Sequence, residues 1–253
     1  MVSKMKIRWI NSLSRKKIRD EEGIFVAEGK KIVADLLPLL PCRFVASTDK
    51  DWSDKYRKYF DEIDEISEEE YRKITFQKSP QGVLAIFEKP VFKIDLDVVA
   101  QNLSIALDDI QDPGNLGTIV RLANWFGIDD VFCSMNTVDI YNPKTIQATM
   151  GAVGCVRIHY VDLEKFLSKA SSKVPIYGTF MDSENIFSEN LTENGIIVMG
   201  NEGNGISEKL MPFIDRKLTI PSFPYNITTS ESLNVGLAAA ITVAEFRRKN
   251  SKM

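Results

Sequence analysis

LSIALDDIQDPGNLGTIVRLANWFGIDDVFCS, residues 103–134, is the stretch on which the fold turns. LSIALDDI is a continuous apolar run, the pattern of a strand buried on both faces in a parallel sheet. A turn rich in Pro, Gly and Asn follows, then apolar residues at helical spacing that predict a helix over 118–126, then a second strand, DDVFCS. Strand, helix and strand at this spacing make a βα unit. Toward the C-terminus the alternation continues. A helix is predicted around 143–150, the strand CVRIHYV, the helix DLEKFLSKAS, the strands PIYGTF, GIIVMG and RKLTIP, and the helix VGLAAAITVAEFRRK. The expectation is an α/β fold with a doubly wound parallel sheet over 102–253. Toward the N-terminus lies a less periodic linker, EKPVFKIDLDVVAQN. Before it, RFVAST, DEIDEIS and GVLAIFEK alternate with helical segments and predict a small α/β domain over 1–90.

With 44% hydrophobic and 26% charged residues, the 253-residue chain has the composition of a globular protein and can hold two domains. The longest apolar run, VGLAAAITVA, is too short for a membrane span of roughly 20 residues. The basic N-terminal residues lack the apolar segment of a signal peptide, so a cytoplasmic location is expected. Cys42, Cys133 and Cys155 show no CxxC spacing, and His159 is the only histidine. Neither a disulfide framework nor a metal site is predicted. The net charge of -3 hides a segregation: residues 1–31 hold nine Lys or Arg against four Asp or Glu, and residues 49–70 hold four against ten. A basic face of that kind suits a phosphate backbone as well as solvent.

In a doubly wound sheet, ligands bind beyond the carboxyl ends of the strands. Three loops qualify: DDIQDPGNLG, GNEGNGIS and IPSFPYNITTSESLN. GNEGNGIS offers backbone N–H groups at close approach but matches neither a P-loop nor GxGxxG, which argues against a nucleotide-dependent dehydrogenase. Ser232 or Ser230 is the expected cap of the last helix, with Asn234 in its first turn needing a polar partner. Arg121 stands among Ile119, Val120, Leu122 and Ala123, which predicts a buried guanidinium facing either a carboxylate, with Glu202 the candidate, or an anionic ligand.

Together the loops DPGNLGTIVR, IVMGNEGNGIS and IPSFPYNITTSESLNVGLAAAI resemble, in order and spacing, the three motifs of the SpoU (TrmH) family of RNA ribose 2'-O-methyltransferases. SLSRKKIRDEEGIFVAEGKKIV and FQKSPQGVLAIFE are similar to the L30e-like substrate-binding domain that precedes the catalytic domain in many members. The resemblance implies a parallel-sheet, trefoil-knotted methyltransferase domain that binds S-adenosylmethionine and pairs as a homodimer to complete the site. It implies cofactor contacts at Thr179, Gly200, Ile220 and Leu233, and functional polar residues at Asn115, Arg121, Glu202, Ser232 and Asn234. The third loop is longer than the family pattern and lacks its usual glycine. Ribosomal RNA is the implied substrate and transfer RNA the alternative. A guanidinium is a poor proton acceptor, so the role expected of Arg121 is to orient the 2'-oxygen and adjacent phosphate. Two rivals remain: a base-carbon methyltransferase would need a cysteine nucleophile, with only Pro41–Cys42 available, and an inactive RNA-binding protein would not need Arg121, Glu202 and Asn234.

Overall fold

Residues 2–223 and 232–250 are described by the computed structural model. The chain opens with α1 (Lys4–Ser12), α2 (Lys16–Glu22), β1 (Ile24–Glu28), α3 (Lys30–Leu36), β2 (Cys42–Ser47), α4 (Lys50–Tyr56), β3 (Phe60–Glu65), α5 (Glu68–Tyr71) and β4 (Val83–Glu88). It continues through α6 (Leu96–Gln101), β5 (Leu103–Leu107), α7 (Pro113–Trp125), β6 (Asp130–Ser134), α8 (Pro143–Thr149), β7 (Arg157–Val161) and α9 (Leu163–Ala170). Last come β8 (Ile176–Asn185), β9 (Gly195–Met199), β10 (Arg216–Thr219) and α10 (Val235–Asn250). No helix among the described residues is long and apolar enough to cross a membrane.

Two compact units emerge. One is Met1–Val91 together with Asp139–Cys155, the other Phe92–Val138 together with Val156–Met253. In the second, six parallel strands run in the order β10-β8-β9-β5-β6-β7. One face is covered by a core that includes Ala106, Phe132, Phe166, Ile176, Ile196 and Val198. Strand order reverses between β5 and β9, which places a crevice at their carboxyl ends. α7 begins at Pro113 rather than Thr118, because Asp112 accepts a hydrogen bond from the Asn115 N–H at 2.8 Å and Pro113 is pre-set for the first helical position. β8 and β10 pair with a register jump, from Lys217 opposite Gly178 to Leu218 opposite Glu184, so residues 179–183 bulge out of the ladder.

In the first unit a mixed sheet runs β1-β4-β2-β3, with Ile10, Leu13, Ile24, Val26, Phe44 and Ile86 in its core. The edge strand β3 exposes Asp61, Glu62 and Glu65, charges that discourage edge-to-edge pairing. Asp139–Cys155 packs here: the Tyr141 ring lies tilted against Phe25 with centroids 5.0 Å apart, Gln77 donates to Gln147 at 2.6 Å, and Lys89 lies 4.9 Å above the Tyr141 ring. The fully buried arginine of this chain is Arg19, which donates to the carbonyls of Leu13 and Ser14 at 2.7 and 2.8 Å and to Asp139. A chain that starts at Asn102 would therefore strip residues 139–155 of their packing partners. Such a truncation is expected to be cut within this segment by a dilute protease at least about tenfold faster than the full chain, a difference of about 1.4 kcal/mol in local opening. Equal rates would show that the segment holds its structure without the first unit.

His159 serves the second unit's core. It stacks on Phe132 at 5.0 Å and shares a 2.8 Å hydrogen bond with Asp130, which also accepts two bonds from Arg157 at 2.8 and 2.7 Å. Burial pushes the Asp130 carboxyl up, but these partners outweigh it and hold the group down at about 2. The folded-state value lies below the roughly 3.9 of an unfolded aspartate, so the stabilisation is present above about pH 4 and is lost as pH falls toward 2. Asp130→Asn is expected to cost about 2 kcal/mol at pH 7, with the gap to the native chain closing below about pH 3 in urea titrations. A gap that stays constant down to pH 2 would contradict this assignment.

Candidate active site

The three loops meet at the carboxyl ends of β5 and β9, all within the second unit. The Asn115 Nδ2 donates to Glu202 Oε1 at 2.6 Å, and the Asn234 Nδ2 donates to Asn115 Oδ1 at 3.0 Å. One amide thus joins the first loop to both others. Ser232 Oγ reaches the Glu202 carbonyl at 3.5 Å, the long limit of a hydrogen bond. Asn234, not Ser232, caps α10: its Oδ1 accepts from the N–H groups of Gly236 and Leu237 at 3.0 and 3.2 Å. Asparagine meets both demands because its oxygen caps while its amide nitrogen still donates. The alternative cap, Ser230, and residues 224–231 of the longer third loop lie outside the described residues.

Arg121 departs from expectation. It is exposed, has no hydrogen bond or ion pair among the described residues, and does not meet Glu202, whose carboxylate is taken by Asn115. Leu116, Ile119, Val120 and Ala123 form the buried stripe of α7 at helical spacing, whereas Gly114, Thr118, Arg121 and Trp125 share the opposite side. Residues adjacent in sequence point 100° apart on a helix, so apolar neighbours in the chain do not bury an arginine. The same exposed side carries Trp125, 84% accessible, and α10, which packs against α7, carries Leu237, 56% accessible.

Beside this polar junction lies a cavity of about 940 Å³. Thr179, Gly200, Ile220 and Leu233 all line it, and so do Glu202 and Ser232; Asn115 and Arg121 do not. The β8 bulge delivers Thr179 and Phe180, and Thr179 Oγ1 is anchored on the Val198 carbonyl at 3.2 Å. Gly200 is needed for space rather than for an unusual backbone angle. A Cβ there would stand 2.2 Å from the Gly205 carbonyl carbon and 2.3 Å from the Ile206 nitrogen. The loop folds back on itself, with Asn201 and Gly205 exchanging backbone hydrogen bonds at 3.0 and 2.8 Å. Asn201 and Thr242, which the sequence did not single out, also form the wall, and the buried Thr242 hydroxyl has no partner among the described residues. Asn201 sits in the glycine-rich loop and was visible by position, but nothing in the apolar run around Thr242 marks it.

Residues 102–244 match the SpoU rRNA Methylase family, and residues 4–85 match an MRM3-like substrate binding domain. The chain belongs to the SpoU rRNA Methylase family. A relative from Bacillus subtilis, 23S rRNA (guanosine(2553)-2'-O)-methyltransferase RlmP, is 30% identical over 72% of this chain and 71% of its own length. Among solved structures, a TrmH-family protein from Porphyromonas gingivalis is 34% identical, with a TM-score of 0.86 over 98% of this chain and 99% of that one. An AdoMet-bound rRNA methyltransferase from Sinorhizobium meliloti is 28% identical, with a TM-score of 0.84 over 98% and 97% of the two chains. The α/β fold of the SpoU chain is thus shared with these two solved structures over nearly its full length.

Proposed function

We propose that this SpoU chain transfers a methyl group from S-adenosylmethionine to a ribose 2'-hydroxyl of structured RNA, with 23S ribosomal RNA as the substrate. The observation that carries the reading is the Asn234–Asn115–Glu202 chain of hydrogen bonds at the edge of a glycine-walled cavity, where strand order reverses. The cavity fits the cofactor: its volume lies in the usual range of about 300–1,000 Å³, its wall mixes apolar side chains with loop backbone, and the Thr242 hydroxyl has no partner among the described residues. Thr179, Gly200, Ile220 and Leu233 would hold the cofactor. When bound, S-adenosylmethionine supplies a methyl group made electrophilic by its sulfonium.

The chain's own residues supply position and charge. Glu202 and Asn115 fix each other's orientation, Asn234 holds Asn115 from the third loop, and Ser232 ties that loop to Glu202. Arg121 orients the 2'-oxygen and adjacent phosphate, and its fixed charge favours the alkoxide that forms as the hydroxyl proton passes to solvent water. His159 is held by Asp130 in the core and takes no part.

Residues 1–90 act as an L30e-like substrate-binding domain and residues 102–253 as a trefoil-knotted catalytic domain whose residues 139–155 pack with the first unit, a reading supported by the MRM3-like match over 4–85 and the SpoU match over 102–244. Two chains pair through the exposed side of α7 and α10. Exposed Trp125 and Leu237 support that pairing, and an Arg121 with no partner among the described residues suits completion of the other chain's site. Bacterial relatives named for 23S rRNA support a cytoplasmic location. The test is transfer of labelled methyl to 23S rRNA and to transfer RNA, followed by alkaline hydrolysis, which a 2'-O-methyl group blocks. One gap in the 23S ladder is expected. Label on a base, or on neither RNA, would overturn the function, and label on transfer RNA alone would overturn the substrate.

A further inference from the structure

We propose that Asp108 and Asp109 form a clamp that sets the shape of the cofactor cavity, with Asp108 a positioning residue acting through Ser207. Asp108 directly follows β5, is only 3% exposed, and forms no ion pair among the described residues. A buried carboxylate without a cation persists only where donors satisfy it. Both donors here come from one residue: the Ser207 N–H at 2.8 Å and the Ser207 hydroxyl at 2.6 Å, each to Asp108 Oδ2. The Asp108 N–H meanwhile donates to the Met199 carbonyl at 2.9 Å, extending the pairing of β5 and β9 past their last residues.

Asp109 then turns the chain at φ 60°, the left-handed region that a non-glycine residue seldom occupies. Its N–H is held by Ser134 Oγ at 2.9 Å, and its carbonyl accepts from Asn201 Nδ2 at 2.8 Å. Two consecutive residues therefore grip the glycine-rich loop near both its ends, Asn201 and Ser207. Between those ends, Asn201 Oδ1 accepts from the N–H groups of Gly203 and Asn204 at 2.9 and 3.0 Å. The gripped segment carries Glu202 and much of the cavity wall. Neither aspartate lines the cavity, so the pair acts on the cofactor only through the loop.

The inference rests on the cavity being the cofactor site, and its test separates the two. On full-length protein, titration calorimetry with S-adenosylmethionine is expected to show Asp108→Ala binding at least about tenfold more weakly. Ser207→Ala, which keeps the N–H bond and loses only the hydroxyl, is expected to bind about threefold more weakly. Asp108→Asn still accepts from the Ser207 N–H and can donate to its hydroxyl, so it should stay within about twofold of native. Hydrogen exchange of residues 201–207 is read on the same proteins without cofactor, and should quicken in the order Asn, Ser207→Ala, Ala. Native affinity and native exchange in folded Ser207→Ala and Asp108→Ala would overturn the clamp. A lower melting temperature with cofactor affinity unchanged would do the same, reducing Asp108 to a structural role. Should Asp108→Ala fail to fold, Ser207→Ala and Asp108→Asn decide alone. A native chain that binds no S-adenosylmethionine would overturn the cofactor reading, while the exchange data would still judge the clamp.

Discussion

Arg121→Ala is expected to lose methyl transfer by at least about a hundredfold, roughly 2.7 kcal/mol of transition-state stabilisation, while keeping its cofactor affinity and its melting temperature. The thermal expectation follows from exposure: an exposed arginine with no partner among the described residues strands none of them when removed. For the same reason Glu202→Gln should neither rescue nor worsen its stability, because Glu202 is bonded to Asn115. Arg121→Lys keeps the charge but loses the planar fork, so it should restore little turnover. Mixing chains then shows where the arginine acts. In the proposed dimer, a pair of one Arg121→Ala chain and one Gly200→Val chain has a complete site only if Arg121 of one chain serves the cavity of the other. Single-turnover activity in the mixture would place Arg121 across the pair, and a silent mixture would place it in its own site. Near-normal turnover of Arg121→Ala alone would remove the residue from the reaction.

Gly200→Ala is expected to be nearly as damaging as Gly200→Val, each weakening S-adenosylmethionine binding by at least about a hundredfold, or 2.7 kcal/mol. If the glycine merely made room for a ligand, alanine would be the milder change. Here the obstacle is the loop's own backbone at 2.2 to 2.5 Å from the first added carbon, so any side chain must open the turn between Asn201 and Gly205. The loop is largely exposed at Glu202, Gly203, Asn204 and Gly205, and opening it should leave the core and the circular dichroism spectrum intact. Calorimetry showing native affinity for Gly200→Ala would refute this account.

The parallel sheet was legible because apolar strands such as LSIAL and GIIVM alternate with amphipathic helices, and burial of both strand faces leaves that trace. The convergence of Asn115, Glu202 and Asn234 was legible as three polar loops at one sheet edge, and the family resemblance sharpened it. What was not legible depends on direction rather than composition. Arg121 looked buried because its chain neighbours are apolar, yet helical geometry turns it to the other side. Ser232 looked like a cap by residue type, while Asn234 sits at the position from which an oxygen can reach the first free N–H groups. The packing of residues 139–155 into the first unit left no local signal, since their helix and turns read like any connection between two strands. Asp108 lies in the first loop, ahead of the first motif, and nothing local marks it, because only the fold brings Ser207 to it.

That packing bears on synthesis. Arg19 and Asp139 stand 120 residues apart, and the chain has built β5, α7 and β6 of the second unit before Asp139 exists. The first unit of a nascent chain therefore leaves the ribosome with Arg19 and Phe25 lacking the partners that later cover them. Ordinary vectorial folding, in which an N-terminal domain is finished before the next begins, does not apply here. The first unit is completed only after synthesis of the second has begun.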